Sequence, residues 1–262
     1  MKRKFAKSGT KRKVSTGGTK RAAKRRRVTV GTLQKQVSRI TRTIETKQAQ
    51  WKTGTNVSLP HNAPVVIQNS AGGDLNPIKT TPGTDDPMTA NTGSRIGDEI
   101  TIRGLKVVAF FENSLNRAKV YFRLMLIKCP RGVAPNAGNG LLQGNSGNRM
   151  LDDINTEKFS VLWQKVFNIS CSNAAPGLVG ATGVPSAATS AGISSRVIKA
   201  WIPGAKFGRG GVIKYENNDA GQAKFFDYRF VVIAYDWFGT PELVNNVGQI
   251  NEMYTKLFFK DA

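Results

Sequence analysis

Basic side chains near the amino terminus are the residues of this sequence best suited to chemistry with a ligand. The first 44 residues hold sixteen Lys or Arg and no acid, and the first carboxylate is Glu45. Positive charge at this density attracts polyanions, above all the phosphates of nucleic acids. The net charge of the chain is +22, so only +6 remains for the other 218 residues. The charge therefore belongs to a terminal segment and not to the body of the protein.

Nucleic-acid binding is the chemistry that these cations favour, and it extends into the residues that follow the terminal segment. Lysine and arginine neutralise phosphates and release condensed counterions, so binding should tolerate any base order and weaken steeply with salt. Trp51, beside Lys52, is the aromatic residue best placed to stack on a base, and packing in the core is its competing interpretation. The predicted nucleic-acid-binding residues are Lys2, Arg3, Lys4, Lys7, Lys11, Arg12, Lys13, Lys20, Arg21, Lys24, Arg25, Arg26, Arg27, Lys35, Arg39, Arg42, Lys47, Trp51 and Lys52.

Residues 1–42 are predicted to form a basic arm that stays disordered until a polyanion condenses it. Their few apolar residues bury too little surface to offset the entropy lost on ordering. Two basic clusters, at 11–13 and 20–27, resemble a bipartite nuclear-import signal, so an import receptor is an expected partner. A membrane surface is the weaker alternative, because the arm lacks an amphipathic face with large apolar side chains. No apolar run is long enough to predict membrane insertion.

Side chains that could support catalysis or metal binding do not form a recognisable constellation. An active site needs convergent acid, base, nucleophile or metal groups. The single histidine, His61, is predicted to be an exposed polar residue of a loop. The acid pairs Asp85 with Asp86 and Asp152 with Asp153 are predicted to be solvated turn residues, with an oxygen-ligated calcium site as the alternative. The sequence therefore predicts no enzyme, no cofactor and no metal site.

Alternation of apolar and polar residues predicts the strands that must form the body. It is clearest at 100–112 and 120–129, and the segment 113–117 between them predicts a hairpin turn. The alternation shifts by one residue at Gly104, which indicates a β-bulge. Further strands are predicted at 158–170, 196–202, 212–216, 225–238 and 253–261.

Two segments have less regular patterns than these strands, and two others are predicted to be surface loops. The strand at 225–238 is apolar on both faces toward its end, as expected of a central strand between two layers. At 31–44 an apolar stripe competes with β-branched residues, and we expect a short helical turn that passes into a strand around 42–58. Gly, Pro, Asp and Asn mark surface loops at 69–97 and 130–148.

About eight strands and no long helical pattern predict an all-β body at residues 43–262. Their lengths suit a two-sheet antiparallel sandwich with Greek-key crossings. An uncharged loop at 166–195 is too long for an ordinary connection. The aromatic residues of the strands are expected to pack in the core or between subunits rather than to stack on bases. They are Trp163, Trp201, Trp237 and the phenylalanines between Phe225 and Phe230.

In their order and spacing, several segments resemble the capsid proteins of circovirus-like viruses, which have small circular single-stranded DNA genomes that encode a replication initiator. The resemblance spans nearly the whole chain. Its parts are a basic start, GDEITIRGLKVVAFFEN followed closely by YFRLMLIKCPRG, then VLWQKVFNI, IKAWIP, IKYEN and a terminal YTKLFFKD. Trp163 and Gln164 stand where the family commonly has Tyr and Asp, and the arm is less arginine-dominated than in circoviruses proper.

The resemblance implies an eight-stranded antiparallel jelly roll that self-assembles into an icosahedral shell, with sixty copies as the expected number. It also implies that the arm points inward, packages circular single-stranded DNA and enters the host nucleus before assembly. The expected locations are thus the virion and the host nucleus. The sequence does not identify the host cell-surface receptor.

Two other classes of protein share a basic arm. The jelly-roll coat protein of a small RNA virus or satellite would have one, and only the order of the motifs favours DNA over RNA. A cellular nucleic-acid-binding protein with a basic tail is the other class, and it would stay small in solution where a capsid protein forms particles.

Overall fold

The computed structural model describes residues 30–44, 46–53, 56–68, 75–82, 94–114, 117–144, 146–170, 194–216, 223–237, 239 and 245–261. The chain divides into two compact units, residues 1–43 and 44–262. The helix α1 (Val30–Ile44) belongs to the first unit except for its last residue. The strands all belong to the second unit.

The described part of the second unit consists mainly of β-strands. Two short 3₁₀ helices, Gly204–Phe207 and Arg209–Gly211, lie between β11 and β12. In chain order the strands are β1 (Lys47–Lys52), β2 (Val57–Pro60), β3 (Pro64–Val66), β4 (Thr81–Pro82), β5 (Ser94–Arg95), β6 (Glu99–Asn113), β7 (Lys119–Pro130), β8 (Leu142–Gln143), β9 (Asp153–Ile154), β10 (Ser160–Ser170), β11 (Ser195–Pro203), β12 (Val212–Lys214), β13 (Phe226–Asp236) and β14 (Asn246–Asp261).

Two antiparallel sheets form the body. The larger sheet has the order β1-β14-β6-β11, with β12 paired to β6 and β2 paired to β14. The smaller sheet has the order β10-β7-β13-β3. If β1 and β2 count as one interrupted strand, the eight principal strands take the orders 1-8-3-6 and 5-4-7-2. This alternation of the chain between two sheets is the jelly-roll arrangement, and the predicted fold class is confirmed.

The two sheets pack face to face around one large apolar core. Inward residues of β6, β11 and β14 meet inward residues of β7, β10 and β13. The ring of Phe111 on β6 lies 5.0 Å from that of Phe167 on β10 and 5.4 Å from that of Phe122 on β7, measured between centroids. Because these three rings come from both sheets, they join the two layers directly.

The strand β13 is central, as its sequence predicts. It lies between β7 and β3, and its residues are buried on both faces. Phe230 and Val232 face the core between the sheets, whereas Val231 and Ile233 face a second apolar cluster on the other side. That second cluster is covered by residues from the connection between β7 and β10, including Leu141 and Phe159. The predicted surface loop at 130–148 therefore contributes to a second core.

The hairpin predicted at 113–117 is wrong. β6 belongs to the larger sheet and β7 to the smaller one, so the connection crosses from one layer to the other. Arg117 forms a 2.8 Å ion pair with Asp236 at the end of β13, and both side chains are nearly buried. The alternation of two neighbouring strands reports which residues are inward, and it does not report whether the strands share a sheet.

The bulge predicted at Gly104 is confirmed. The register of β14 against β6 passes from Gly104 directly to Ile102, so Arg103 is the extra residue. Ile102 and Leu105 both belong to the main core although they are three residues apart, as a shift of phase requires. The bulge lets both halves of β6 turn their apolar side chains toward the core.

The amino-terminal and loop predictions need correction in two places. Residues 31–44 are not a short turn that enters a strand, because α1 runs for fifteen residues and β1 begins only at Lys47. The predicted surface loop at 69–97 is partly buried, since Leu75 and Ile78 belong to the main core. The hydroxyl of Tyr215 donates a 2.7 Å hydrogen bond to the carbonyl of Ile78 and helps to hold this segment inward.

Two polar residues predicted to be solvated are buried. His61 is 4% exposed, its Nδ1 accepts a 3.0 Å hydrogen bond from the backbone N–H of Asp236, and its ring lies 4.5 Å from that of Tyr235. Asp152 is 7% exposed, and its carboxylate accepts hydrogen bonds from the hydroxyl and the N–H of Ser146. Both side chains hold loops in place. Asp85 and Asp86 lie outside the described residues.

Candidate nucleic-acid interface

The arm cations from Lys2 to Arg27 lie outside the described residues, so their role stays a prediction. Lys35 is exposed on α1, and the helical repeat puts positions 39 and 42 on the same side of the helix. The sequence of α1 contains no acid. Lys35, Arg39 and Arg42 thus belong to a helical segment whose own sequence is free of carboxylates, and nucleic-acid binding by them stays a prediction.

Trp51 and Lys47 on β1 have partners within the protein. Trp51 packs against the main core, and its Nε1–H donates a 2.7 Å hydrogen bond to the carbonyl of Lys79. Lys47 forms a 2.8 Å ion pair with Asp261 and donates to the carbonyl of Ser94. These contacts favour the packing interpretation of Trp51, and nucleic-acid binding by either residue stays a prediction.

The outward side of the larger sheet is a basic surface that includes Lys52. Along β6, β11 and β14, inward residues of the main core alternate with exposed or half-buried residues on the opposite side. Successive residues of a strand point to opposite faces, so these outward residues share one surface. The cations of this surface are Lys52, Arg103, Lys106, Lys199, Lys214, Lys256 and Lys260.

Acids on the same surface lie toward its borders. Glu99 at the start of β6 forms a 3.1 Å ion pair with Lys214, and Glu252 lies 3.6 Å from Lys52 at the β1 edge. Glu112 lies at the other end of β6. The carboxylates thus neutralise the rim, and the middle of the surface keeps its positive charge.

Four residues, which we call the central cluster, occupy this middle: Lys106, Trp201, Lys256 and Phe258. In the register of the sheet, Lys106 stands directly opposite Trp201 on one side and Lys256 on the other. The ring centroids of Trp201 and Phe258 are 5.4 Å apart, and Nζ of Lys256 lies 5.7 Å from the Phe258 centroid. Trp201 is 54% exposed. Exposed aromatic faces beside cations are the elements that bind single-stranded nucleic acid.

Gly104 explains how Trp201 lies flat on the sheet. A Cβ built on Gly104 would come within 2.2 Å of Cζ2 in the Trp201 ring. The bulge at this position therefore does two things: it corrects the phase of β6, and its missing side chain leaves room for the indole. Phe258 stands opposite Gly104 in the register and completes the aromatic patch.

The residues of the central cluster were not among the predicted binding residues. Their signal lay in the outward phase of the strands, where GLKVVAFF, VIKAWI and YTKLFFK place Lys106, Lys199, Trp201, Lys256 and Phe258. Each segment alone is an ordinary amphipathic strand. Only the pairing of β6 with both β11 and β14 brings the cations and rings together.

The strand aromatic residues do not all pack in the core. Phe230 is buried and Trp163 packs against the main core, as predicted. Trp201 and Trp237 are 54% and 57% exposed, and Phe225 and Phe226 are 58% and 40% exposed, so these four residues do not pack in the core, which was one of the two predicted alternatives. Packing between subunits stays a prediction for these exposed rings.

Two buried tyrosines, Tyr215 and Tyr228, have raised pKa values. Burial raises the pKa of Tyr215 to about 12, and burial also raises the pKa of Tyr228. Their hydroxyls donate to the backbone carbonyls of Ile78 and Phe207. Both phenols are therefore neutral at physiological pH, and their hydrogen bonds fix loops against the core.

The described residues contain no group of three or more His, Cys, Asp or Glu placed to hold a metal ion. Of the helices in this part of the chain, none has the length and hydropathy of a transmembrane span.

Comparisons with known proteins give little to set beside this geometry. No family model matches the chain, and no curated protein matches it. Among solved structures, the chain is similar to a chain from Desmodium yellow mottle tymovirus, with a TM-score of 0.30 and 6% sequence identity. The match covers 82% of this chain and 88% of that chain. Similarity at this level is too low to transfer a function.

Proposed function

We propose that this chain is a viral capsid protein that self-assembles into a small icosahedral shell and packages single-stranded nucleic acid. The observation that carries the proposal is the division of charge between the two parts of the chain. An arm with sixteen cations and no acid precedes a jelly-roll body whose net charge is close to neutral for its size. A body as basic as the arm would oppose the close packing of many copies by self-repulsion.

The size of the arm charge fits the condensation of a small genome. Sixty arms with sixteen cations each would bring about a thousand positive charges into one shell, enough for about a thousand phosphates. Circular single-stranded DNA is the proposed cargo, supported by the order of the segments that resemble circovirus-like capsid proteins. RNA is the alternative cargo, since the arm neutralises phosphates of either kind.

The same proposal gives the protein two locations, the virion and the host nucleus. The basic clusters at 11–13 and 20–27 would bind a nuclear-import receptor before assembly and phosphates after it. One segment serves both purposes because each requires only accessible Lys and Arg.

Particle formation by the full chain is the first test. Sixty copies of a 28.5 kDa chain make an assembly of about 1.7 MDa, which light scattering and negative-stain microscopy distinguish from a monomer. We expect uniform shells that protect nucleic acid from nuclease, and sequencing the protected material identifies it as DNA or RNA. A protein that stays monomeric in the presence of single-stranded DNA would contradict the proposal and favour a cellular basic protein.

A further inference from the structure

We infer that the central cluster on the outward side of the larger sheet is a binding site for single-stranded nucleic acid, additional to the arm. A base stacks on Trp201, with Phe258 beside it, and Lys106 and Lys256 bind the flanking phosphates. The inference rests on the proposed function, because it names the part of the body that contacts the packaged strand.

The first argument is the direct opposition of two lysines. Lys106 and Lys256 are cross-strand partners, and like charges in this position destabilise a sheet. Within the described residues neither lysine forms an ion pair with a carboxylate. A phosphate held between the two ammonium groups would remove their repulsion, so an anionic ligand is what this arrangement favours.

The second argument is the exposure of the aromatic rings beside these cations. Trp201 is 54% exposed, and its cross-strand partner on β6 is the cation Lys106. Every base has a π-face, so stacking on an indole is tolerant of sequence, as the packaging of a whole genome requires. The rings of Trp201 and Phe258 lie 5.4 Å apart at an angle of 52°, and about half of the Trp201 side chain is exposed and can contact a base.

The third argument decides between single-stranded and double-stranded ligands. The bases of a duplex already stack on each other, so an exposed ring on a flat surface gains contacts only from an unstacked base. The basic surface extends across the sheet from Lys106 and Lys256 to β1, where Lys52 lies. It therefore offers phosphate contacts on more than one strand of the sheet to an extended single strand.

Photocrosslinking of the unmodified full chain is the direct test. The chain is irradiated with oligothymidylate and digested with trypsin, and the adducts are located by mass spectrometry. We expect adducts on the peptide 200–206, which carries Trp201, and on the peptide 257–260, which carries Phe258. Adducts confined to the arm, or equally abundant on the peptide that carries Trp237, would overturn the inference.

Matched variants distinguish binding at the central cluster from nonspecific binding by any exposed tryptophan. Trp237 is 57% exposed against 54% for Trp201, and it too has a lysine, Lys119, 4.8 Å from its ring. We expect Trp201→Ala to lower crosslinking at 257–260 about fivefold or more, because a stacked base contributes most of the local affinity. Trp237→Ala should leave that yield unchanged, and Trp201→Phe should restore part of it. If Trp201→Ala does not fold, the wild-type adducts still decide the question.

The outcomes distinguish this inference from the proposed function. Shells that contain nucleic acid but give no adduct at Trp201 would leave the capsid proposal standing and overturn the binding site. That result is also the one expected if a second subunit covers the central cluster. Adducts at Trp201 on a chain that never assembles would support the binding site and contradict the capsid proposal.

Discussion

The outward side of the smaller sheet is buried around β13, whereas the outward side of the larger sheet is exposed to solvent. On the smaller sheet, Val231 and Ile233 of β13 are fully buried under a cover that includes Leu141 and Phe159. On the larger sheet, the corresponding side carries the central cluster and further cations, and Trp201 is half exposed. The inner sides of both sheets, in contrast, share one apolar core.

The difference shows how a sandwich can obtain a binding surface without a cavity. A strand that is apolar in both phases, such as β13, requires a cover, and the long connection between β7 and β10 supplies it. A strand that carries lysine in its outward phase, such as β6 or β14, excludes a cover because a buried unpaired charge is costly. The charge pattern of the strands therefore decides which face stays open.

The strongest test of the difference between the buried and the exposed side substitutes one residue by lysine on each. Val231→Lys places an ammonium under the cover and should cost about 3 kcal/mol or more of folding free energy. Val108→Lys, on the outward side of β6 beside Lys199, adds only like-charge repulsion and should cost at most about 1 kcal/mol. Urea denaturation of both variants measures the difference. Equal losses would show that the two faces are not as different as their exposure indicates.

Deletion of residues 1–27 should abolish most packaging while it leaves the sandwich intact. The deletion removes thirteen of the sixteen arm cations and none of the described strands. We expect shells to form with little nucleic acid, as measured by the ratio of absorbance at 260 and 280 nm. The adducts with oligothymidylate that remain should then concentrate at Trp201. Truncated shells with as much nucleic acid as the full chain would mean that the arm is not the main binding element.

Gly104→Ala should disturb the open face through Trp201. The added Cβ would overlap the indole ring, so the ring must move or the strand must shift, at a cost of about 1–3 kcal/mol. Crosslinking at the peptide 200–206 should fall with it. Gly138→Ala in the covering connection is the control, because its Cβ would meet only Oδ1 of Asn136 at 3.6 Å. Normal crosslinking in Gly104→Ala would show that the placement of the ring is not important for binding.

Local patterns in the sequence predicted much of the secondary structure. Alternation located β6, β7, β11 and β13, and the shift of phase at Gly104 correctly predicted a bulge. These successes share a cause: the period of a strand and a break in that period are properties of neighbouring residues. The length of α1 was underestimated because β-branched residues in its second half favour strands in isolation.

Features that depend on contacts between residues far apart in the sequence could not be predicted from local patterns. The burial of His61 depends on Asp236, 175 residues away, and the assignment of β6 and β7 to different sheets depends on pairing with β14 and β13. The central cluster is of the same kind, since its members come from three strands. The arm could be recognised from composition alone, but the binding surface of the body required the register of the larger sheet.

The smallest expected effect is also the most specific to the central cluster. Lys256→Gln removes one of two opposed positive charges and so relieves their repulsion. The free energy of unfolding at low salt should therefore increase by about 0.2–1 kcal/mol, which means a more stable protein. The gain should vanish near 1 M salt, where the Debye length is about 3 Å. Lys158→Gln, in the exposed turn before β10, should change stability by less than this.

Binding should respond to the same substitution in the opposite direction. Loss of one phosphate contact should reduce the slope of log affinity against log salt for oligothymidylate by about 0.7, whereas Lys158→Gln should leave the slope unchanged. A residue retained only for the fold would not weaken the fold and strengthen ligand binding at the same time. A Lys256→Gln variant that is less stable at low salt, or that binds as the wild type does, would show that the lysine pair is not held for an anion.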